Sequence, residues 1–123
     1  MNNIVERTAE RLTSTQRKYL RGIAHPLSPL VHVGKGGVND AVLDATRRAL
    51  EDHELIKVKI AADRVERARM AAEIVKACDA DLAGAVGTIA ILFRANDDLA
   101  KRRVVLPARG AASSTPEGED DAG

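Results

Sequence analysis

Aromatic side chains are almost missing from this 123-residue chain. Tyr19 and Phe93 are the only two, and there is no tryptophan. A binding surface made of several exposed, stacked rings is therefore excluded. Cysteine is nearly absent as well. Cys78 stands alone, has no partner in the chain for a disulfide, and fits a reducing, cytoplasmic setting. No apolar run approaches the ~18 residues of a membrane span. Residues 1–12 are polar and charged and lack the apolar centre of a secretory signal. His25, His32 and His53 are scattered without metal-ligand spacing, and no carboxylate pair suggests a hydrolytic site. Cys78 falls late in a helical pattern with no motif partner, so it reads as a buried thiol rather than a nucleophile. These absences argue against an enzyme, and neither cofactor, metal nor small-molecule substrate is expected.

What remains suits a single globular domain: 45 % hydrophobic and 30 % charged residues. The formal charge of +1 hides an asymmetry. Residues 11–39 hold Arg11, Arg17, Lys18, Arg21 and Lys35 and no acid at all. The last seven residues hold Glu117, Glu119, Asp120 and Asp121 and no base. With those four set aside, 19 cations face 14 acids, a balance of +5. A locally basic surface of this kind suits an anionic partner; the plainer reading is a solvated charged face.

The most informative stretch is Gly34-Lys35-Gly36-Gly37. Glycine admits positive φ and lets a ligand approach the backbone. A loop that opens onto a helix presents unpaired N–H groups and the positive end of the helix dipole. Lys35 adds a mobile charge with three donors. G-x-x-G is also the spacing of KH-type loops that clamp RNA backbone, although a structural turn can look the same. The lack of a Ser or Thr after Lys35 argues against nucleotide hydrolysis, and no G-x-G-x-x-G of a dinucleotide site is present.

Taken in order, the chain predicts α-β-α-β-α-β-β. Residues 1–11 read as a flexible extension. Thr13 and Gln16 form a capping box for a first helix that stops before Pro26. Tyr19, Leu20 and Ile23 are expected on its inner side and Arg17, Lys18 and Arg21 on its outer. A short strand over 30–33 leads into the glycine loop. Asn39 caps a second helix running to about residue 52, with Val42, Ala45, Ala49 and Leu50 inward. Residues 55–60 alternate cleanly, so that Ile56, Val58 and Ile60 share a buried face and Lys57 and Lys59 the opposite one. A third helix spans about 63–78, with Val65, Ala68, Ala72 and Val75 as its inner stripe. Strands over 82–86 and 89–94 are joined by a tight turn at Gly87-Thr88. Residues 101–106 suggest an edge strand or a docked arm. The composition from 108 to 123 predicts a disordered acidic tail. The resulting fold is a single α/β domain over 12–107, with a mixed four-stranded sheet packed against three helices; strands linked by crossover helices should run parallel.

Several pieces together resemble the CRM domain, named for chloroplast RNA splicing and ribosome maturation, and in particular its bacterial stand-alone YhbY-like members. They are Leu12-Thr13-x-x-Gln16-Arg17-x-x-Leu20-Arg21; Ala24-His25-x-Leu27-x-Pro29-x-Val31-x-Val33-Gly34-Lys35-x-Gly37-Val38; His53-Glu54-Leu55-Ile56-Lys57-Val58-Lys59; and finally Gly87 with Leu92-Phe93-Arg94. The resemblance implies a compact α/β fold like the C-terminal domain of bacterial translation initiation factor three. It also implies RNA binding without catalysis, and association with precursors of the large ribosomal subunit. The chain departs from the family at Gly36, where a polar residue is frequent, and at Phe93, where tyrosine is usual.

With so few rings, binding should rest on phosphate contacts and RNA shape. Gly34, Lys35, Gly36 and Gly37 would hold backbone phosphate, Arg17, Lys18 and Arg21 would extend the track, and Lys57 and Lys59 would add a second contact. RNA is the expected partner, ribosomal by the resemblance, bound by a cytoplasmic monomer. The acidic tail is expected to compete with RNA for the basic face. A module docking on ribosomal proteins or assembly factors is the alternative. A DNA reader is disfavoured, because no helix offers the Asn, Gln and Arg set of a recognition helix.

Overall fold

The alternating segment becomes the spine of the sheet. In the computed structural model, which describes residues 12–108, strand β2 (Leu55–Ile60) lies between β1 (Val31–Val33) and β4 (Ile89–Phe93), with β3 (Asp81–Val86) at the far edge. β1 runs parallel to β2, and β4 is antiparallel to both β2 and β3. β2 and β3 therefore share a direction, as strands joined by a crossover helix should, but β4 is inserted between them. The hairpin that inserts it turns on Gly87, whose φ of +58° suits the first position of a two-residue turn. The expected extension at 1–11 and, Ala108 apart, the expected tail lie outside the described residues.

Among the described residues three α-helices complete the fold: α1 (Ser14–Ala24), α2 (Asp40–His53) and α3 (Arg64–Cys78). The chain forms a single α/β domain with a mixed four-stranded sheet. α2 and α3 cover one sheet face, where Val31, Val33, Ile56, Val58, Ile60 and Leu92 pack with Leu50 and Ile74. α1 covers part of the other face, over Leu55, Ala83, Ile91 and Phe93. A fully buried leucine such as Leu20 or Leu92 contributes about 2 kcal/mol.

The capping signals hold atom for atom. Thr13 Oγ1 accepts the amide of Gln16, and Gln16 Oε1 accepts the amide of Thr13, each at 3.0 Å. Asn39 Oδ1 accepts the amide of Val42 at 2.9 Å. Helix phase was harder to read. On α1 the buried residues are Gln16, Leu20 and Ala24, while Tyr19 and Ile23 are 39 % and 38 % exposed. Gln16 turns inward because its Nε2 also donates to the carbonyl of Pro107 (2.9 Å), which fixes α1 about 50° from the apolar expectation at ~100° per residue. On α2, Thr46 and Leu50 are buried and Ala45 is exposed; the Thr46 hydroxyl donates to Val42 O at 2.7 Å and so tolerates burial. On α3 the inner residues are Ala71, Ile74 and Cys78. Val65 is 77 % exposed, Ala68 and Ala72 are exposed, and Val75 is half-buried. An alanine-rich helix leaves its phase open, because alanine gains little from either environment.

Residues 102–108 form a docked arm rather than a strand. Val104 and Leu106 pack beneath α1. The arm is held by Glu54, which is 1 % exposed although charged. Glu54 is the residue between α2 and β2, at φ +65°. Its carboxylate accepts the amides of Asn96 (2.6 Å), Arg103 (2.7 Å) and Val104 (2.8 Å).

Candidate nucleic-acid interface

The glycine loop closes as a turn. The amide of Gly37 donates to the carbonyl of Gly34 at 3.0 Å, which leaves Lys35 and Gly36 at the tip. The three glycines are not equivalent. Gly37 has φ +70° and meets the conformational demand that favours glycine. A Cβ on Gly34 would meet nothing, and one on Gly36 would come within 3.3 Å of Asn39 Nδ2, a movable side-chain atom. The loop is therefore one required glycine and two permissive ones. Lys35 is exposed and carries no bond or ion pair among the described residues. Behind the loop, the Asn39 side chain satisfies the third amide of α2, while Asp40 places a carboxylate in the first turn. That charge opposes an anion at the helix end, so the lysine rather than the helix dipole makes the loop attractive to phosphate.

The sheet brings further cations alongside. His32 is exposed and sits opposite Lys59 in the parallel ladder. Strand alternation puts Leu30, His32, Lys57 and Lys59 on one side, opposite the buried Val31, Val33, Val58 and Ile60. Lys59 is exposed, whereas Lys57 is half-buried with Nζ donating to His25 O (3.0 Å) at the end of α1. The amide of Leu30 donates to Lys57 O (3.0 Å), which sets Leu30 beside it. α1 leaves this strip of the sheet uncovered, and the strip leads along β1 to the loop.

The basic residues of α1 divide between two flanks. Arg21 lies flat across Gly84 of β3, where a Cβ would approach its Cδ to 2.5 Å, and its Nη1 donates to Ala83 O at 3.1 Å. Arg17 donates to Leu12 O at 2.7 Å and, more weakly, to Ser14 Oγ at 3.4 Å. Both guanidiniums thus serve the fold on the β3 side. Successive helical residues advance about 100°, so the opposite flank, facing β1, carries Tyr19 and Ile23. Lys18 projects outward between the flanks and is exposed. The structure therefore gathers Lys35, Lys57 and Lys59 with His32 on one side, and sets Arg17 and Arg21 apart from them.

Sequence reading passed over His32, noting only that it lacks metal-ligand spacing; the strand alternation that exposed Lys57 and Lys59 applies equally to β1 and could have found it. It also passed over Arg64, exposed at the start of α3, and Arg67, whose Nη1 donates to Ala62 O (2.6 Å). Both stand at the end of the sheet where the loop is rooted, since the amide of Ala61 bonds Val33 O. Cys78 is buried, and burial pushes its thiol up, away from the reactive thiolate. Among the described residues no helix is long and apolar enough to cross a membrane.

Comparison with known proteins bears on the same residues. The model of the CRS1 / YhbY (CRM) domain matches residues 12–94, from the capping box through the last strand. A Pseudomonas aeruginosa protein named "Probable RNA-binding protein" is 40 % identical over 86 residues, which cover 69 % of this chain and 83 % of that one. A Bacillus subtilis protein of the same name is 36 % identical over 97 residues, covering 78 % and 99 %. The solution structure of a hypothetical Staphylococcus aureus protein superposes with a TM-score of 0.67 at 29 % identity, covering 78 % of this chain and 99 % of that one. With loop, caps and sheet all inside the matched span, the chain belongs to the CRS1 / YhbY (CRM) domain family.

Proposed function

We propose that this protein binds RNA through its backbone, without catalysis. The observation that carries the reading is Lys35, unpaired among the described residues at the tip of the glycine turn that follows β1, whose His32 lies opposite Lys59 on the strip of sheet that α1 leaves open. Lys35 and the open backbone of Gly34, Gly36 and Gly37 contact phosphate first, and Lys59, Lys57 and Lys18 extend the track. Arg17 and Arg21 contribute field rather than contacts, because they lie on the β3 flank of α1, away from that strip. The names of the relatives support RNA as the polyanion. The likeness to YhbY-like proteins supports ribosomal RNA in precursors of the large subunit, and the single buried thiol suits a reducing, cytoplasmic setting.

Each phosphate neutralised by a lysine releases counterions, so log K falls with log salt by about 0.7–0.9 per contact. Lys35→Ala should flatten that slope by about one contact. An unchanged slope removes Lys35 from the interface. The rival reading, docking on a ribosomal protein or assembly factor, draws on the same cations. Salt-sensitive binding to protein-free ribosomal RNA supports the first reading; binding to assembled particles alone supports the second.

A further inference from the structure

The flank of α1 that faces β1 is apolar and, among the described residues, only partly covered, although sequence reading had assigned it to the core. Tyr19 and Ile23, four residues apart, lie one turn above the other. Leu27 follows in the turn that closes with its amide on Ala24 O (2.9 Å), and is 41 % exposed. Leu30, 52 % exposed, continues the strip onto the sheet beside Lys57. A ring and three aliphatic side chains are thus partly exposed, at 38–52 %, beside the strip that holds Lys57, Lys59 and His32.

We infer that this flank receives an unpaired base of the bound RNA, stacked on the Tyr19 ring. The inference rests on the RNA-binding reading. Its occupant follows from charge: cations border the apolar strip and no acid lies between residues 12 and 39, so a ligand must join apolar surface to dense negative charge. An unpaired nucleotide does so within one residue, base on the ring and phosphate toward Lys57 or Lys18. Base–aromatic stacking suits any base, and one ring gives one subsite rather than a platform. The protein should therefore prefer RNA with an unpaired nucleotide next to a helical segment over fully paired RNA.

Tyr19 makes the test direct, because it is the one tyrosine in a chain without tryptophan. Its fluorescence is read, with inner-filter correction, while full-length protein is titrated with a short unstructured RNA, a fully paired RNA and inorganic polyphosphate. Stacking predicts quenching by unstructured RNA and little by polyphosphate at equal occupancy. Tyr19→Ala should weaken unstructured RNA by about tenfold, or ~1.4 kcal/mol, with the salt slope unchanged and paired RNA little affected; Tyr19→Phe should bind like wild type. Binding of unstructured RNA without quenching, together with undiminished affinity in Tyr19→Ala, overturns the inference. An acidic amphipathic peptide captured by wild type and lost in Tyr19→Ala, with RNA affinity unmoved, would assign the flank to a protein partner instead. Failure of every RNA to bind would defeat the RNA-binding reading itself, a distinguishable result.

Discussion

Helix α2 ends in two opposite ways. At its N-terminus a left-handed backbone position is filled by Gly37, Lys35 and Asn39 beside it are exposed, and the charge at the tip is unpaired among the described residues. At its C-terminus a left-handed position is filled by Glu54, buried and charged, with three amides on its carboxylate. A non-glycine residue there costs on the order of 1–3 kcal/mol. That strain persists because the carboxylate ties α2, β2, the segment after β4 and the docked arm at one point; the carbonyl of Glu54 also accepts the amide of Arg94 at 2.9 Å. One end holds the fold, and the other is free to hold a ligand. A side chain can do one of these jobs well, and substitutions at the two ends should separate stability from binding.

The largest effect is expected at the buried end. Glu54→Ala strands three amides and keeps the backbone strain, so it should cost about 3–5 kcal/mol in denaturant unfolding. Glu54→Gln is the sharper variant. The amides of Arg103 and Val104 share Oε1, which glutamine retains, while Asn96 donates to Oε2, which glutamine replaces with a donor. A loss of about 1–3 kcal/mol, smaller than that of alanine, is expected. Equal losses would mean that the negative charge, rather than the acceptor geometry, holds the arm.

Acid should act on the same end. Burial alone would push the Glu54 carboxyl up, but the amides of Asn96, Arg103 and Val104, with the Arg102 guanidinium, override it and hold it below the ordinary value of 4.5. A depressed native value means that the unfolded chain binds the proton first. The stabilisation is fully present above about 4.5 and disappears as pH falls through the native value. The gap in unfolding midpoint between wild type and Glu54→Gln should therefore narrow below that pH and stay constant above it. A gap that is flat through the acid range would show that the two forms lose stability through other carboxylates.

These unlike ends also explain what could be read in advance. Strands and helices were legible within a residue or two because β2 alternates cleanly and the caps at Thr13 and Asn39 have side-chain chemistry that allows little else. The loop was legible because glycine and lysine stand out in any context. Glu54 was not: a glutamate after a histidine at a helix end looks like surface. The available signal was spacing, since one residue separates α2 from β2 and no ordinary loop fits there. The phases of α1 and α3 were misread for a related reason. Apolar residues were assigned inward one at a time, whereas on α1 Gln16 is drawn in by a distant carbonyl and the exposed Arg21 lies over a glycine on β3. Contacts between segments far apart in sequence decided which side faced the core, and Tyr19 was exposed as a result.

The smallest effects belong to the loop, where the comparison can be refined glycine by glycine. Gly37→Ala adds a Cβ in ordinary contact with Met70 Cε (3.9 Å), so its cost should be conformational, about 1–2 kcal/mol for a left-handed alanine. Gly36→Ser has no such demand and meets only the side-chain nitrogen of Asn39, so its unfolding midpoint should stay within about 0.5 kcal/mol of wild type. Lys35→Ala should be equally silent in stability while losing a contact's worth of salt dependence. If Gly36→Ser destabilised as much as Gly37→Ala, the turn at the tip would itself be strained. The loop would then resemble the Glu54 end, and its glycines would be there to fold the chain rather than to admit a phosphate.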